Sequence, residues 1–223
     1  MNLTAINMSG TRWMTHIKAL LASTVQPDSG SPELERIHFH TTSSEVWMAS
    51  TNGTIATVAH TADSVESDPG VDDTFSIDTN AAHTTLTMIS YVAGEGDATE
   101  VMVSLAAIGS NVTIHVHSDS RSATLTTSSH DGMVQVIAGA TLKELCQQDL
   151  RPHLTDVELL KTAITPLEGR LTIQHCVSGS LAALSDDGDL LTVIVPIRFS
   201  GSPEEGPSTR ALKTWTEHLE HLI

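Results

Sequence analysis

Aromatic side chains are scarce in this chain: three Trp, one Tyr and three Phe among 223 residues. A core of that size has to be filled by Val, Leu, Ile, Ala and Met, which suits extensive strand packing. Cysteine is scarcer still. Cys146 and Cys176 cannot staple a framework, and neither sits in a Cys-x-x-Cys spacing. Both are expected to be buried and inert. No apolar run approaches the roughly 18 residues of a membrane-spanning helix. The N-terminal MNLTAINMSGTRW lacks the basic start and apolar stretch of a secretion signal. A cytoplasmic protein with no membrane partner is expected.

Positive charge is also thin, with 11 Lys and Arg against 27 Asp and Glu and a formal net charge of −16. A tight nucleic-acid binder presents a basic face, because phosphate neutralisation supplies much of its affinity. The bulk charge argues against such a protein. It leaves room for one that surrounds a duplex loosely, and the placement of the few cations decides.

Signatures of catalysis are missing too. The chain has no Gly-x-Ser-x-Gly elbow, no phosphate-cradling glycine loop and no Gly-x-Gly-x-x-Gly after a strand. Asp186-Asp187-Gly188-Asp189 lacks the loop length and distal Glu of an EF-hand, and a hairpin turn explains it. Twelve histidines include two His-x-His pairs, His38 with His40 and His115 with His117. Each pair shares one face of a strand. The apolar partners Ile37, Phe39, Ile114 and Val116 put these histidines on the solvent side. No catalytic residue, metal site or cofactor is expected, although a His-rich metal-dependent β protein stays open as an alternative.

What is present is a repeated pattern. From Thr11 to Val25, Trp13, Ile17, Leu20 and Leu21 recur at the helical period, and Pro27, Asp28 and Gly30 stop the helix. Three short strands follow at 34–40, 46–49 and 54–59, with Asn52-Gly53 as a hairpin turn. Residues 62–73 form an acidic Ser/Pro/Gly connection. The order then returns: a strand at 74–77, a helix over 79–90 with Ala82, Leu86 and Ile89 inward, and strands at 100–106, 111–117 and 121–127. A third cycle opens with a strand from Met133 to Ala138. Thr141-Leu-Lys-Glu144 and Thr155-Asp-Val-Glu158 fit capping boxes that start helices ending before Pro152 and Pro166. Strands at 170–177, 180–185 and 190–198 close it. A Ser/Gly/Pro/Glu linker at 200–208 leads to an amphipathic helix at 209–222. The fold class read from this order is α+β.

Three segments carry a resemblance. Ala49-Ser50-Thr51-Asn52-Gly53-Thr54-Ile55-Ala56 looks like the ATDGxRLA segment of bacterial DNA polymerase III beta-type sliding clamps. Leu191 to Phe199, read LTVIVPIRF, is similar to that family's terminal Met-Pro-Met-Arg-Leu strand, and Val157 to Ile164 resembles the LLxALK helix before it. The strand, helix and three strands of each cycle are that family's repeating unit. The family implies antiparallel sheets outside and helices inside a ring. There are departures. Asn52 and Ile55 replace the charged pair of ATDGxRLA, the chain has room for fewer than three domains, and 24 residues follow the Pro-containing strand. A divergent, shortened and possibly phage-type version is implied. Its parts would be a clamp-like domain at 1–128, a shortened one at 129–199 and a tail at 200–223.

The resemblance implies function. The chain would be a DNA sliding clamp, a polymerase processivity factor that forms a homo-oligomeric ring around duplex DNA of any sequence. A clamp loader and a DNA polymerase are the implied partners. Arg12, Lys18, Lys143 and Lys161, on predicted helices, would face the duplex through water. A groove for clamp-binding peptides would be lined by Thr51, Gly53, Thr54, Ile55 and Ala56 on one side. Val195, Pro196, Ile197 and Arg198 would line the other. A non-catalytic protein-binding scaffold of similar fold, with no DNA role, is the alternative. Ring size is open between two, three and four chains.

Overall fold

A computed structural model describes residues 4–42, 45–62, 65–67, 73–94, 96–146, 157–167, 171–175, 180–185 and 187–195. Strand β1 (Thr4–Ser9) leads into helix α1 (Gly10–Leu21), followed by β2 (Arg36–Thr41), β3 (Val46–Thr51), β4 (Ile55–Thr61) and the short β5 (Val65–Ser67). The second cycle is β6 (Asp73–Asp78), α2 (Thr79–Ala93), β7 (Met102–Ile108), β8 (Asn111–His117) and β9 (Ser122–Ser128). Helices α3 (Val134–Cys146) and α4 (Val157–Ile164) precede β10 (Leu171–His175), β11 (Leu181–Ser185) and β12 (Leu190–Ile194). All pairing is antiparallel, in a five-stranded sheet ordered β5-β1-β7-β8-β9 and a seven-stranded sheet ordered β10-β11-β12-β4-β3-β2-β6.

The local chemistry of each element is visible. Ser9 caps α1 by accepting from the Arg12 amide, and Trp13, Ile17 and Leu20 on its inner stripe are fully buried. Asp78 caps α2 through the Ala81 amide at 2.7 Å. Helix α2 tolerates its many hydroxyl residues because Thr84, Thr85, Thr87 and Ser90 each donate to the carbonyl four residues back. At the Asn52-Gly53 hairpin, Asn52 Oδ1 accepts from the amides of Thr54 (3.0 Å) and Ile55 (2.8 Å), while Gly53 takes φ 85°. One large core collects Ile6, Met8, Trp13, Phe39, Phe75, Ile89, Leu105 and Ile114 from both sheets, α1 and α2.

Three expectations are corrected. The strand expected from Met133 to Ala138 is the start of α3, and Thr141 is no cap but a buried mid-helix residue whose hydroxyl donates to Ile137 O at 2.8 Å. Val134, Ile137 and Thr141 recur at the helical period, which outweighs the β-branched composition. Second, His38 is 2% exposed rather than solvent-facing, because both faces of β2 are covered at that point. Third, β5 is a strand inside the 62–73 segment expected to be a connection, while β1 supplies the opening strand of the first cycle. The linker and tail from 200 onward, the Thr155 cap and Cys176 lie outside the described residues.

Helix α3 departs from the all-helices-on-one-face scheme. Side chains alternate along β3. Ser50 faces α1 and donates to Leu20 O at 2.7 Å, whereas Ala49 on the opposite face packs with Val134 and Ile137 of α3. The chain reaches that far side past the β6 edge, where Ser76 and His130 form a bridge. Gly132 permits this crossing: a Cβ there would lie 2.6 Å from Phe39 O and 2.8 Å from Phe75 O.

His38 makes stability depend on pH. Its Nε2–H donates to Glu33 O at 2.8 Å, yet burial, the largest influence, holds its pKa below the ordinary value. A folded-state pKa below that of the unfolded chain means the unfolded state takes up more protons as pH falls. The stabilising contribution is therefore present above about pH 6.5 and lost below it, at up to about 1.4 kcal/mol per pH unit. Thermal melts from about pH 7.5 down to 5.5 should show this loss, and His38→Gln, which keeps a donor for Glu33, should flatten it. Parallel curves for the two proteins would refute the assignment.

Candidate nucleic-acid interface and peptide groove

Helices α1 and α4 lie on one face of the seven-stranded sheet. Ile55 of β4 shares parity with Thr57, the cross-strand neighbour of Ser50, and packs with Ala163, Leu181 and Ile194 beneath α4. Lys18, in the last turn of α1, and Lys161 on α4 are exposed, and among the described residues neither has an ion-pairing partner. Lys18 also complements the C-terminal end of the α1 dipole.

The other two sequence-predicted cations behave differently. Arg12 is engaged: Nη1 donates to Thr61 Oγ1 at 3.2 Å, and Nη2 lies 3.9 Å from the Asp189 carboxylate. It ties the start of α1 to the β11–β12 turn, in which Ser185 donates to Asp187 and holds that carboxyl below its ordinary pKa. At 43% side-chain exposure the Arg12–Asp189 pair adds little stability. It does, however, reduce the charge Arg12 can offer elsewhere. Lys143 is carried by α3, which packs through Val134 and Ile137 on the opposite sheet face. The Asp187-Gly188 sequence signalled only a turn, and nothing local to it revealed a partner for a helix 177 positions earlier.

Around the groove, the two predicted walls approach each other. Ile194 is the register partner of Ile55, and the Val195 amide donates to Thr54 O at 2.8 Å. Gly53 is exposed at the turn tip, and Thr51, Thr54 and Ala56 are half-buried. Ile55 is 1% exposed and serves the core under α4, so its side chain offers no surface. Pro196, Ile197 and Arg198 lie outside the described residues. Elsewhere, His115 and His117 stack at 4.9 Å on the outer face of the five-stranded sheet. Among the described residues no group of three or more His, Cys, Asp or Glu could hold a metal ion. No helix among them is long and apolar enough to cross a membrane.

No protein-family model matches the chain, and no curated protein matches it in sequence. Solved structures do. A DNA polymerase sliding clamp from Pseudomonas aeruginosa superposes with a TM-score of 0.61 at 10% identity, over 87% of this chain and 67% of that one. A protein of Eubacterium rectale assigned as a DNA polymerase III beta subunit gives 0.63 at 8%, over 88% and 66%. A ligand-bound P. aeruginosa clamp gives 0.59 at 11%, over 87% and 66%. The fold is therefore that of the DNA polymerase III beta-type sliding clamp, in divergent α+β form. The chain spans about two-thirds of the length of these clamps.

Proposed function

We propose that copies of this chain assemble into a ring around duplex DNA and act, without catalysis of their own, as a processivity clamp that tethers a polymerase. In this reading residues 1–128 form a full clamp-like domain and 129–199 a shortened second one, in the cytoplasm of a cell or of a phage-infected host. The observation that carries it is the pairing of β12 with β4, which continues one sheet from the first cycle into the third with α1 and α4 on the same side. A wall of this kind, extended edge to edge, would present Lys18 and Lys161 toward a central duplex. So few cations on a chain of net charge −16 suit contacts weak enough to slide. Thr51, Gly53, Thr54, Ala56 and Val195, continued by Pro196 to Arg198, would receive clamp-binding peptides, and a loader would open the ring.

Native mass spectrometry tests this directly. Rings of three or four chains are expected, and a monomer at micromolar concentration would count against the clamp. A second reading, a peptide-binding scaffold without DNA, draws on the engagement of Arg12 with Asp189. Rings that fail to retain duplex DNA at low salt would favour it.

A further inference from the structure

The solvent face of α2 has no Lys, Arg, Asp or Glu. Its exposed positions are Asn80, His83, Thr84, Thr87, Ser90 and Tyr91. A clamp wall made of α1, α2 and α4 would thus have a neutral gap between two cationic helices. A cation is nevertheless held at the end of α2, and it comes from another element. Arg121 lies in the β8–β9 turn, whose backbone is pinned by the Ser118 amide donating to Arg121 O at 2.9 Å and the Arg121 amide donating to Ser118 Oγ at 3.3 Å. Its guanidinium crosses to α2, donates from Nη1 to Tyr91 O at 3.1 Å, and sits 5.7 Å from the centroid of the Tyr91 ring. Gly94 leaves the room for it, since a Cβ there would lie 2.9 Å from Nη1.

Two features set this apart from a plain helix cap. Tyr91, the only tyrosine in the chain, is 63% exposed, the orientation of a ring that offers a surface rather than fills a core. Arg121 is exposed as well, and among the described residues no carboxylate lies within ion-pairing distance, in contrast to Arg12. One Nη–H is spent on the carbonyl, which leaves the other donors of the guanidinium fork free for an anion. The ring fixes the fork in place, so little side-chain entropy remains to be lost on binding.

We propose that Arg121, held on Tyr91, is the phosphate contact of the α2 wall: a sequence-independent site for the phosphodiester backbone of duplex DNA. This rests on the clamp reading and adds to it a residue outside the helices.

The test is fluorescence anisotropy of the assembled full chain with a short fluorescein-labelled duplex across a salt series. Arg121→Gln should weaken binding and lower the slope of log affinity against log salt by about one for each copy in the ring that touches the duplex. Arg121→Lys should restore the slope, and Tyr91→Ala should weaken binding by about two- to fivefold. A role as helix cap alone would lower the melting temperature of Arg121→Gln and leave its salt slope at the wild-type value, which overturns the proposal. If Lys18→Gln lowers the slope and Arg121→Gln does not, the Arg121 site is wrong while the clamp survives. If the wild type binds no duplex even at low salt, both fall.

Discussion

Replacing Phe39 with Ala should lower unfolding stability by about 3–5 kcal/mol. The Phe39 ring is fully buried and stacked on two others, 4.9 Å from Phe75 at 4° and 6.1 Å from Trp13 at 17°. It thereby joins β2, β6 and α1. The cavity left by its removal cannot easily collapse. Phe75 and Met48 are its register partners on either side, and both are fixed by ladders of backbone hydrogen bonds. With seven aromatic residues in the whole chain, few other rings could move into the space. For a chain of this length the loss corresponds to a melting-temperature drop on the order of 10 °C. Calorimetry or urea unfolding followed by circular dichroism would read it. A loss under about 1.5 kcal/mol would mean that the three-ring stack is not the structural centre of the core.

The contrast between what could and could not be read beforehand follows the range of the interactions. The Asn52-Gly53 hairpin was legible because Asn52 satisfies the Thr54 and Ile55 amides itself, within three residues. Helix α1 was legible because Trp13, Ile17 and Leu20 mark one stripe. Helix α2 was legible from Ala82, Leu86 and Ile89 at the helical period, and the hydroxyls that count against a helix are absorbed by bonding to the preceding turn. Segment 133–138 was misread because Val-Gln-Val alternates over three residues, and only the longer 134, 137, 141 spacing exposes the helix. No local signal told which sheet face that helix would cover. That choice depends on the small Ala49, the Val58 surface and the crossing at Gly132, all set by tertiary packing. The candidate site divides in the same way. Lys18 and Lys161 were found as exposed helical cations, while the engagement of Arg12 depends on Asp189, far along the chain. Arg121 was not legible as a helix-borne cation because a turn delivers it to α2.

The largest effect on assembly is expected at the sheet edges. The strand orders leave β9 at one end of the five-stranded sheet and β10 at one end of the seven-stranded sheet. Neither Ser122–Ser128 nor Leu171–His175 contains Lys, Arg, Asp, Glu or Pro, the residues with which solitary sheets protect their rims. Ile173 on β10 is 51% exposed, on the same sheet face as its register partner Ala183. Two different edges on one chain can pair only head to tail, and such pairing closes into a ring when the rotation per subunit allows it. Ile173→Lys and Thr124→Lys place a charge on one edge each, at exposed positions. Either should weaken assembly by at least about tenfold in dissociation constant, equivalent to about 1.4 kcal/mol, because an ammonium group would have to be desolvated in every junction. Ile108→Lys is the control, since Ile108 is 41% exposed but belongs to β7, which has a partner on both sides. Its mass distribution should match the wild type. Light scattering across a dilution series separates these outcomes, with melting curves to verify that each subunit remains folded. Edge variants that assemble as tightly as the wild type would exclude strand pairing through β9 and β10 as the way the proposed ring closes.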